Sequence, residues 1–148
     1  MMNNANELLS RIAGAAYVTK LDTNKFFFQI PLSQESQTFT GFQMPFGTFS
    51  YVIMPMGLLK CASATGQRLM DIILRGAHRY TASLIDDVIV FSKEFDSHLC
   101  YVRDVLERLR KAGLTVNTNK CHFASNIIQI LGHKLQDRLV YPCDEKIA

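Results

Sequence analysis

The sequence lacks most features that mark secreted, membrane or disulfide-stabilised proteins. Its four cysteines are far apart and form no Cys-x-x-Cys pair, which is typical of reduced thiols in an intracellular protein. The first residues contain no basic segment followed by an apolar core, so no secretory signal is predicted. No apolar run approaches the ~20 residues that cross a bilayer. We therefore expect a cytoplasmic or nuclear protein that is not secreted and has no membrane partner.

Glycine-rich phosphate-binding motifs and clusters of basic residues are absent as well. Residues 41–47 come nearest to a P-loop, but the helix and the lysine that a P-loop needs do not follow them. No dense block of Lys or Arg occurs, so the net charge of +3 permits a nucleic-acid partner without arguing for one. The chain has 148 residues, of which 48% are hydrophobic and 20% charged. Such a length and composition fit one globular domain.

The order of predicted elements favours an α+β fold. Hydrophobic periodicity predicts helices over 6–12 and 62–76, and a third that starts at Ser97 as N-cap and stops at Gly113. Strands are predicted over 15–21, 38–44, 48–54, 81–92 (as a hairpin), 114–116, 127–131 and 139–141. Tight hairpins mixed with helices indicate an antiparallel sheet with helices packed on one face. A doubly wound α/β fold is disfavoured because strands and helices do not alternate strictly.

Two adjacent carboxylates, Asp86 and Asp87, lie at the tip of the predicted 81–92 hairpin. Adjacent acids beside apolar strands repel each other and are poorly solvated, and a divalent cation would remove that cost. An ordinary Asp-Asp turn is the alternative. Asp22 ends the predicted strand 15–21 and would bring a third carboxylate to the same rim if the strands are neighbours. Oxygen ligands of this kind select hard cations such as Mg²⁺, and a pair of such ions supports nucleotidyl transfer.

The segments around these acids resemble reverse transcriptases, in particular those of gypsy-type LTR retrotransposons. The matching segments are collinear and comprise 20–32 (KLDTNKFFFQIPL), 41–57 (GFQMPFGTFSYVIMPMG), 64–71 (ATGQRLMD), 85–92 (IDDVIVFS), His98, 106–113 (LERLRKAG), 117–121 (NTNKC) and 131–133 (LGH). The resemblance implies a polymerase palm, whose antiparallel sheet carries helices on one face. It also implies RNA-directed DNA polymerase activity with dNTPs, a primer and an RNA or DNA template as partners.

The resemblance also assigns roles to single residues. Asp22, Asp86 and Asp87 would be the catalytic carboxylates and would hold two Mg²⁺ ions, or Mn²⁺ in their place. The other implied roles are nucleotide binding by Thr23 (through its carbonyl), Phe27, Met56 and Gly57, pyrophosphate protonation by Lys120, and primer grip by Leu131, Gly132 and His133. The Phe27 ring would clash with a ribose 2′-OH and so favour deoxynucleotides. A solvated lysine at 120 and a purely structural aromatic core at 26–28 remain alternatives.

Several positions depart from the family pattern near the implied nucleotide pocket. Leu84 replaces the aromatic residue that usually opens the Asp-Asp motif, and the stretch 57–67 is one residue longer than the pattern. Ser63 replaces a proline and Gly66 a phenylalanine. Loss of a core phenylalanine costs about 3–5 kcal/mol unless neighbours refill the space. Phe26, which replaces a small residue, is a candidate for that refilling.

The sequence therefore predicts a partial reverse transcriptase domain over residues 1–148, formed by a palm with part of the fingers. Thumb, connection and RNase H segments are not expected in it. In the family, basic residues of upstream fingers strands hold the triphosphate, and thumb, connection and RNase H parts follow downstream. We therefore expect weak or no polymerase activity from the chain alone. One alternative is a catalytically dead, retroelement-derived binding module, which the changes at Leu84 and Gly66 favour. Another is an RNA-binding sheet that stacks bases on exposed aromatics, although such a sheet needs no acidic cluster.

Overall fold

The computed structural model describes residues 5–56 and 59–142, which form helices and short antiparallel strands. In chain order the elements are α1 (Ala5–Ile12), β1 (Tyr17–Asp22), α2 (Gln34–Gln37), β2 (Phe42–Met44), β3 (Gly47–Phe49), α3 (Leu59–Ile73), β4 (Thr81–Leu84), β5 (Asp87–Ser92), α4 (Phe95–Lys111), β6 (His122–Ser125), β7 (Ile127–Ile130), β8 (His133–Gln136) and β9 (Leu139–Pro142). Short 3₁₀ helices cover Phe26–Gln29, Thr38–Thr40 and Thr118–Lys120. In the part of the chain so described, no helix is long and apolar enough to cross a membrane.

A four-stranded antiparallel sheet with the order β4-β5-β1-β6 lies at the centre. The central strands β1 and β5 pair along their whole length, from Tyr17 opposite Ser92 to Asp22 opposite Asp87. β2 and β3 form a separate hairpin, and β7, β8 and β9 form a three-stranded sheet. Because side chains alternate along a strand, β1 and β5 each send residues to both faces of the central sheet.

Each face of the central sheet is covered by a different layer. On one face, Leu21 and Val88 share a buried cluster with Met70 of α3 and Val105 and Leu109 of α4. The two long helices thus pack on the same face, and the predicted α+β architecture is confirmed. The other face buries Val18 and Ile89 against α1 and the β7–β8 pair, through residues such as Leu8 and Ile128.

Four local predictions from the sequence are wrong. Residues 38–40 form a 3₁₀ helix rather than the start of a strand, and β3 ends at Phe49, so that 50–54 contribute only the bridge between Pro31 and Ile53. Residues 114–116 contribute only the single bridge between Thr23 and Val116. Ser97 lies inside α4, which begins at Phe95 after Glu94. The Phe95 ring packs edge-on against Tyr17 with a centroid distance of 5.4 Å. This tertiary contact accounts for a helix start earlier than the local capping signal.

The buried side of α4 also differs from the stripe Leu99, Val102, Leu106 and Leu109 that periodicity predicts. Leu99 is 51% exposed, whereas its neighbour His98 is only 1% exposed. Thr19 Oγ1 lies 2.7 Å from Nε2 of His98, and Ser92 Oγ lies 3.0 Å from Nδ1. We call Thr19, Ser92 and His98 the buried histidine cluster. It anchors α4 to β1 and β5 through hydrogen bonds, so the helix turns a polar residue inward.

Candidate active site

The three predicted carboxylates lie at one end of the central strands, and we call Asp22, Asp86 and Asp87 the acidic rim. Asp22 and Asp87 are direct cross-strand partners in β1 and β5. Asp86 is exposed and belongs to the turn between β4 and β5, because Leu84 pairs with Asp87. Directly opposed residues have Cβ atoms about 4.5–5.5 Å apart, and like charges there are destabilising. The sheet register therefore holds repelling carboxylates side by side.

Lys20 is the cation that partly offsets this repulsion. Its Nζ lies 3.0 Å from Oδ2 of Asp87, and the two side chains are 22% and 28% exposed. Burial raises the pKa of Asp87, and the charges of Asp86 and Asp22 raise it further, while the hydrogen bond and the charge of Lys20 lower it. The net direction is upward from the ordinary 3.8. Burial thus outweighs the contribution of Lys20 and disfavours the ionised form of Asp87, which a bound cation would stabilise.

The turn that carries Asp86 is fixed from two sides. Thr23 donates both its backbone N–H and its hydroxyl to the Asp86 carbonyl, at 3.0 and 2.7 Å. Gln67 of α3 accepts the Ile85 N–H at 3.0 Å. Ile85 has φ 54°, a left-handed conformation that is rare for a β-branched residue and costs about 1–3 kcal/mol. These contacts hold a strained turn beside the carboxylates.

The donor chemistry of the rim fits a hard divalent cation. Carboxylate oxygens are the ligands that Mg²⁺ takes, and one or two of them suffice when substrate phosphates complete the coordination. Over residues 5–56 and 59–142, no group of three or more His, Cys, Asp or Glu side chains is already arranged to hold a metal ion. Asp22, Asp86 and Asp87 supply oxygen ligands, and other ligands would complete the coordination of an ion at the rim.

The predicted nucleotide side of the site surrounds a phenylalanine pair. Phe26 is 2% exposed and its ring centroid lies 5.6 Å from that of the half-buried Phe27. A Cβ placed on Gly66 would lie 2.7 Å from Phe26 Cε1 and 3.3 Å from Phe27 Cε1. Phe26 therefore occupies the space beside Gly66, as the refilling hypothesis predicts. Met56, in the loop before α3, is 57% exposed, and Gly57 lies outside the described residues.

The remaining predicted residues lie on two further segments. Lys120 is exposed at the end of the 3₁₀ helix Thr118–Lys120. The Asn117 N–H bonds the Asp22 carbonyl at 2.8 Å, which attaches this segment to the rim end of β1. Leu131 and Gly132, with φ of 52° and 70°, form the turn between β7 and β8, and His133 starts β8. The structure thus brings the Lys120 segment to the rim and places the 131–133 turn in the separate sheet.

Sequence reasoning missed two residues that contact the rim or its turn. The sequence predicts Lys20 only as part of the strand 15–21 and Gln67 only as part of the helix 62–76. Strand alternation offers a signal for Lys20, because it lies two positions before Asp22 and so on the same face. No local pattern singles out Gln67, since its partners Ser83 and Ile85 lie on another element.

Comparison with known proteins agrees with this architecture. The family model described as reverse transcriptase (RNA-dependent DNA polymerase) matches residues 2–135. The chain belongs to the reverse transcriptase family. Relatives include the Transposon Tf2-3 polyprotein of Schizosaccharomyces pombe, 31% identical over 142 residues that make up 95% of this chain and 11% of the relative. The Tf2-7 polyprotein is 30% identical over the same length. The predicted resemblance to LTR-retrotransposon reverse transcriptases is confirmed.

Solved reverse transcriptases share the fold of this family member. The foamy viral protease-reverse transcriptase in complex with double-stranded DNA superposes with a TM-score of 0.86 and 19% identity, over 96% of this chain and 25% of that one. Its complex with an RNA/DNA hybrid gives a TM-score of 0.81 over 93% of this chain and 19% of that one. The chain therefore spans a small part of its relatives. Members of the family use divalent metal ions in general, in agreement with the donor chemistry of the rim.

Proposed function

We propose that this chain forms the catalytic palm of an RNA-directed DNA polymerase, a nucleotidyltransferase that adds dNTPs to a primer on an RNA or DNA template. The observation that carries the proposal is the direct pairing of Asp22 with Asp87 across β1 and β5, with Asp86 in the adjoining turn. A solvated surface turn has no need to place acids opposite one another, because such pairs destabilise a sheet. Binding a divalent cation would offset that cost.

The acidic rim would hold two Mg²⁺ ions, with Mn²⁺ as a substitute. Bound divalent ions supply activation of the attacking hydroxyl and stabilisation of the leaving pyrophosphate. Asp22 and Asp86 would provide oxygen ligands, and the Thr23 carbonyl would add one on the nucleotide side. Asp87 would exchange Lys20 for the ion or keep Lys20 as a counter-charge. Thr23 and Gln67 would keep the rim in place during the reaction.

The other predicted residues would bind the substrates. Phe27, supported by Phe26 and Gly66, would lie under the incoming sugar and disfavour a ribose 2′-OH. Met56 and Gly57 would border the nucleotide, and Lys120 would donate a proton to the pyrophosphate. Leu131, Gly132 and His133, at the β7–β8 turn, would contact the primer end.

We also propose that residues 1–148 correspond to the palm with part of the fingers. Thumb, connection and RNase H segments would come from sequence outside these residues. The small shares of the relatives that this chain covers support that reading. Primer extension on poly(rA)/oligo(dT) should accordingly be weak or absent with this chain alone. Extension at the rate of an intact enzyme would contradict the assignment.

Mn²⁺ titration followed by NMR tests the metal site directly. Paramagnetic broadening should concentrate on amides beside the acidic rim, and Asp22→Asn or Asp86→Asn should each remove it. Asp96→Asn is the matched control, because Asp96 is an exposed acid in the first turn of α4, which follows the far end of β5. Loss of broadening in the control, or its persistence in the rim variants, would rule out the assignment. A wild-type chain with no ion at the rim would favour the catalytically dead binding module.

A further inference from the structure

In the turn between β4 and β5, Ile85 has a backbone conformation that β-branched residues disfavour. Two-residue hairpin turns require positive φ at their first central position, where glycine, asparagine and aspartate are preferred. Here that position is Ile85, with φ 54°. A β-branched residue does not hold this conformation without support. The following residue is Asp86, so any relaxation of Ile85 would redirect an acid of the rim.

Gln67 supplies the support from α3 through both ends of its amide. Its Oε1 accepts the Ile85 N–H at 3.0 Å. Its Nε2 lies 3.3 Å from the Ser83 carbonyl, 3.0 Å from Ser83 Oγ and 3.0 Å from Asp71 Oδ1. The orientation of the amide follows from its partners, because a backbone N–H only donates and a carbonyl only accepts. A side chain with one acceptor and two donors is needed to satisfy this set.

The bonds of Gln67 complement those of Thr23. Thr23 holds the Asp86 carbonyl from β1, whereas Gln67 holds the Ile85 N–H and Ser83 from the helix layer. The turn is thus fixed immediately before and immediately after the Ile85–Asp86 peptide. If the bonds of Gln67 are removed, the turn is held only by those of Thr23 among these hydrogen bonds, and the reverse is also true.

We propose that Gln67 is a positioning residue: it holds Ile85 in its strained conformation and thereby orients Asp86 toward Asp22 for cation binding. This inference rests on the proposed metal-binding palm. Gln67 touches neither substrate nor ion in this scheme and acts through the turn. The expected consequence is that the affinity of the rim for a divalent ion depends on an uncharged side chain of α3.

The test uses Mn²⁺ as the probe and the whole 148-residue chain. Gln67→Met keeps the side-chain length but removes every hydrogen bond, and it should weaken Mn²⁺ binding about 10- to 100-fold, the effect of one unpaired buried donor. Hydrogen exchange of the Ile85 amide should accelerate by a similar factor. Arg68→Met, at an exposed position next along the same helix, should leave both quantities unchanged.

A second variant separates positioning from general loss of stability. Glycine adopts positive φ readily, so Ile85→Gly should bind Mn²⁺ nearly as the wild type does. Adding Gln67→Met to Ile85→Gly should then cost less than about threefold, far below its effect in the wild-type background.

The outcomes distinguish the two proposals. If the wild type binds Mn²⁺ at the rim but Gln67→Met binds equally well, the positioning role is wrong and the palm assignment stands. The positioning role is also wrong if Gln67→Met lowers Mn²⁺ affinity by the same factor in the wild-type and the Ile85→Gly backgrounds. If the wild type itself shows no Mn²⁺ binding that Asp86→Asn removes, the palm assignment fails, and the role of Gln67 in it fails too.

Discussion

The strands β1 and β5 carry two polar clusters that differ in almost every physical respect. The buried histidine cluster lies on the face covered by α4, and its groups are mutually satisfied. Ser92 donates to the Glu94 carbonyl at 2.9 Å, so it accepts from Nδ1–H of His98, and Nε2 then accepts from Thr19. Thr19 Oγ1 also accepts the Ala124 N–H at 3.0 Å. Throughout the described ranges, no buried side-chain nitrogen or oxygen lacks a partner.

The acidic rim, on the same two strands, is left with excess negative charge. Lys20 forms an ion pair with Asp87, no ion pair joins Asp22 or Asp86 to a cation within residues 5–56 and 59–142, and the turn beside them is strained. A polar group whose hydrogen bonds are all made within the protein contributes to folding. A group whose charge is not compensated within the protein is available to bind a ligand. The comparison therefore predicts that changes at the histidine cluster alter stability, while changes at the rim alter ion binding.

The largest expected effect is at His98. His98→Ala removes a buried ring and its two hydrogen bonds to Thr19 and Ser92, and should lower the free energy of unfolding by about 3 kcal/mol. Urea denaturation measures this loss. Leu99→Ala on the adjacent, 51% exposed position should change stability by less than about 0.5 kcal/mol. Equal effects of the two variants would contradict the burial pattern of α4.

The two clusters should also respond to acid in opposite directions. Burial lowers the pKa of His98 below its ordinary 6.5, so below that pH the unfolded chain takes up a proton that the folded chain resists. The free energy of unfolding therefore decreases as the pH is lowered below 6.5, by up to about 1.4 kcal/mol per pH unit. Asp87 has a raised pKa, so its folded form takes up a proton first and its site gains stability as pH approaches the ordinary 3.8.

Unfolding midpoints between pH 7.5 and about 5 isolate the histidine contribution, since this range lies around and below the ordinary His pKa. His98→Gln should flatten the profile there. A slope that survives in His98→Gln would show that another group is responsible.

A smaller effect is expected at Thr23. Thr23→Val removes the hydroxyl bond to the Asp86 carbonyl but keeps the backbone N–H bond, so the turn loses about 0.5–1.5 kcal/mol of support. Mn²⁺ affinity should fall a few-fold, less than in Gln67→Met. The exposed Thr118→Val serves as control in the same titration. A loss larger than that of Gln67→Met would place the main support of the turn on β1.

The smallest effect is expected from Asp87→Asn without metal. The change removes one repelling charge and one partly exposed ion pair with Lys20, each worth up to about 1 kcal/mol. The two contributions oppose each other, so the unfolding midpoint should move little while Mn²⁺ binding weakens. A large loss of stability would make the rim a structural ion pair and remove the contrast with His98.

The sequence predicts correctly those structural features that depend on residues adjacent in the chain. The β-favouring residues on either side of the acid pair predict the hairpin that carries Asp86, and Gly113 predicts a helix end because glycine adopts positive φ readily. In the structure α4 ends at Lys111 and Gly113 has φ 75°. The pairing of Asp22 with Asp87 joins strands far apart in sequence, so local pattern gives it only on the condition that those strands are neighbours, and the family resemblance supplies that condition. The family resemblance includes His98, but periodicity counts histidine as polar and so does not predict that its ring is buried. Gln67 was missed because its hydrogen bonds cross between elements.

The contact of Phe26 with Gly66 determines how substitutions at these two positions affect stability. With Phe26 present, a side chain at 66 meets a ring at 2.7 Å, so Gly66→Ala should destabilise α3 although alanine elsewhere in a helix gains about 1 kcal/mol. Without Phe26 the same substitution should be favourable. The sign of one mutation thus depends on the other, and a double-mutant cycle would measure their coupling.

Such sign epistasis makes positions 26 and 66 a unit. Large side chains at both positions would overlap at the 2.7 Å contact, and small ones at both would leave a void beside Phe27. Restoring either family residue alone is therefore expected to lower stability, and family-consensus residues can be restored there only as a pair.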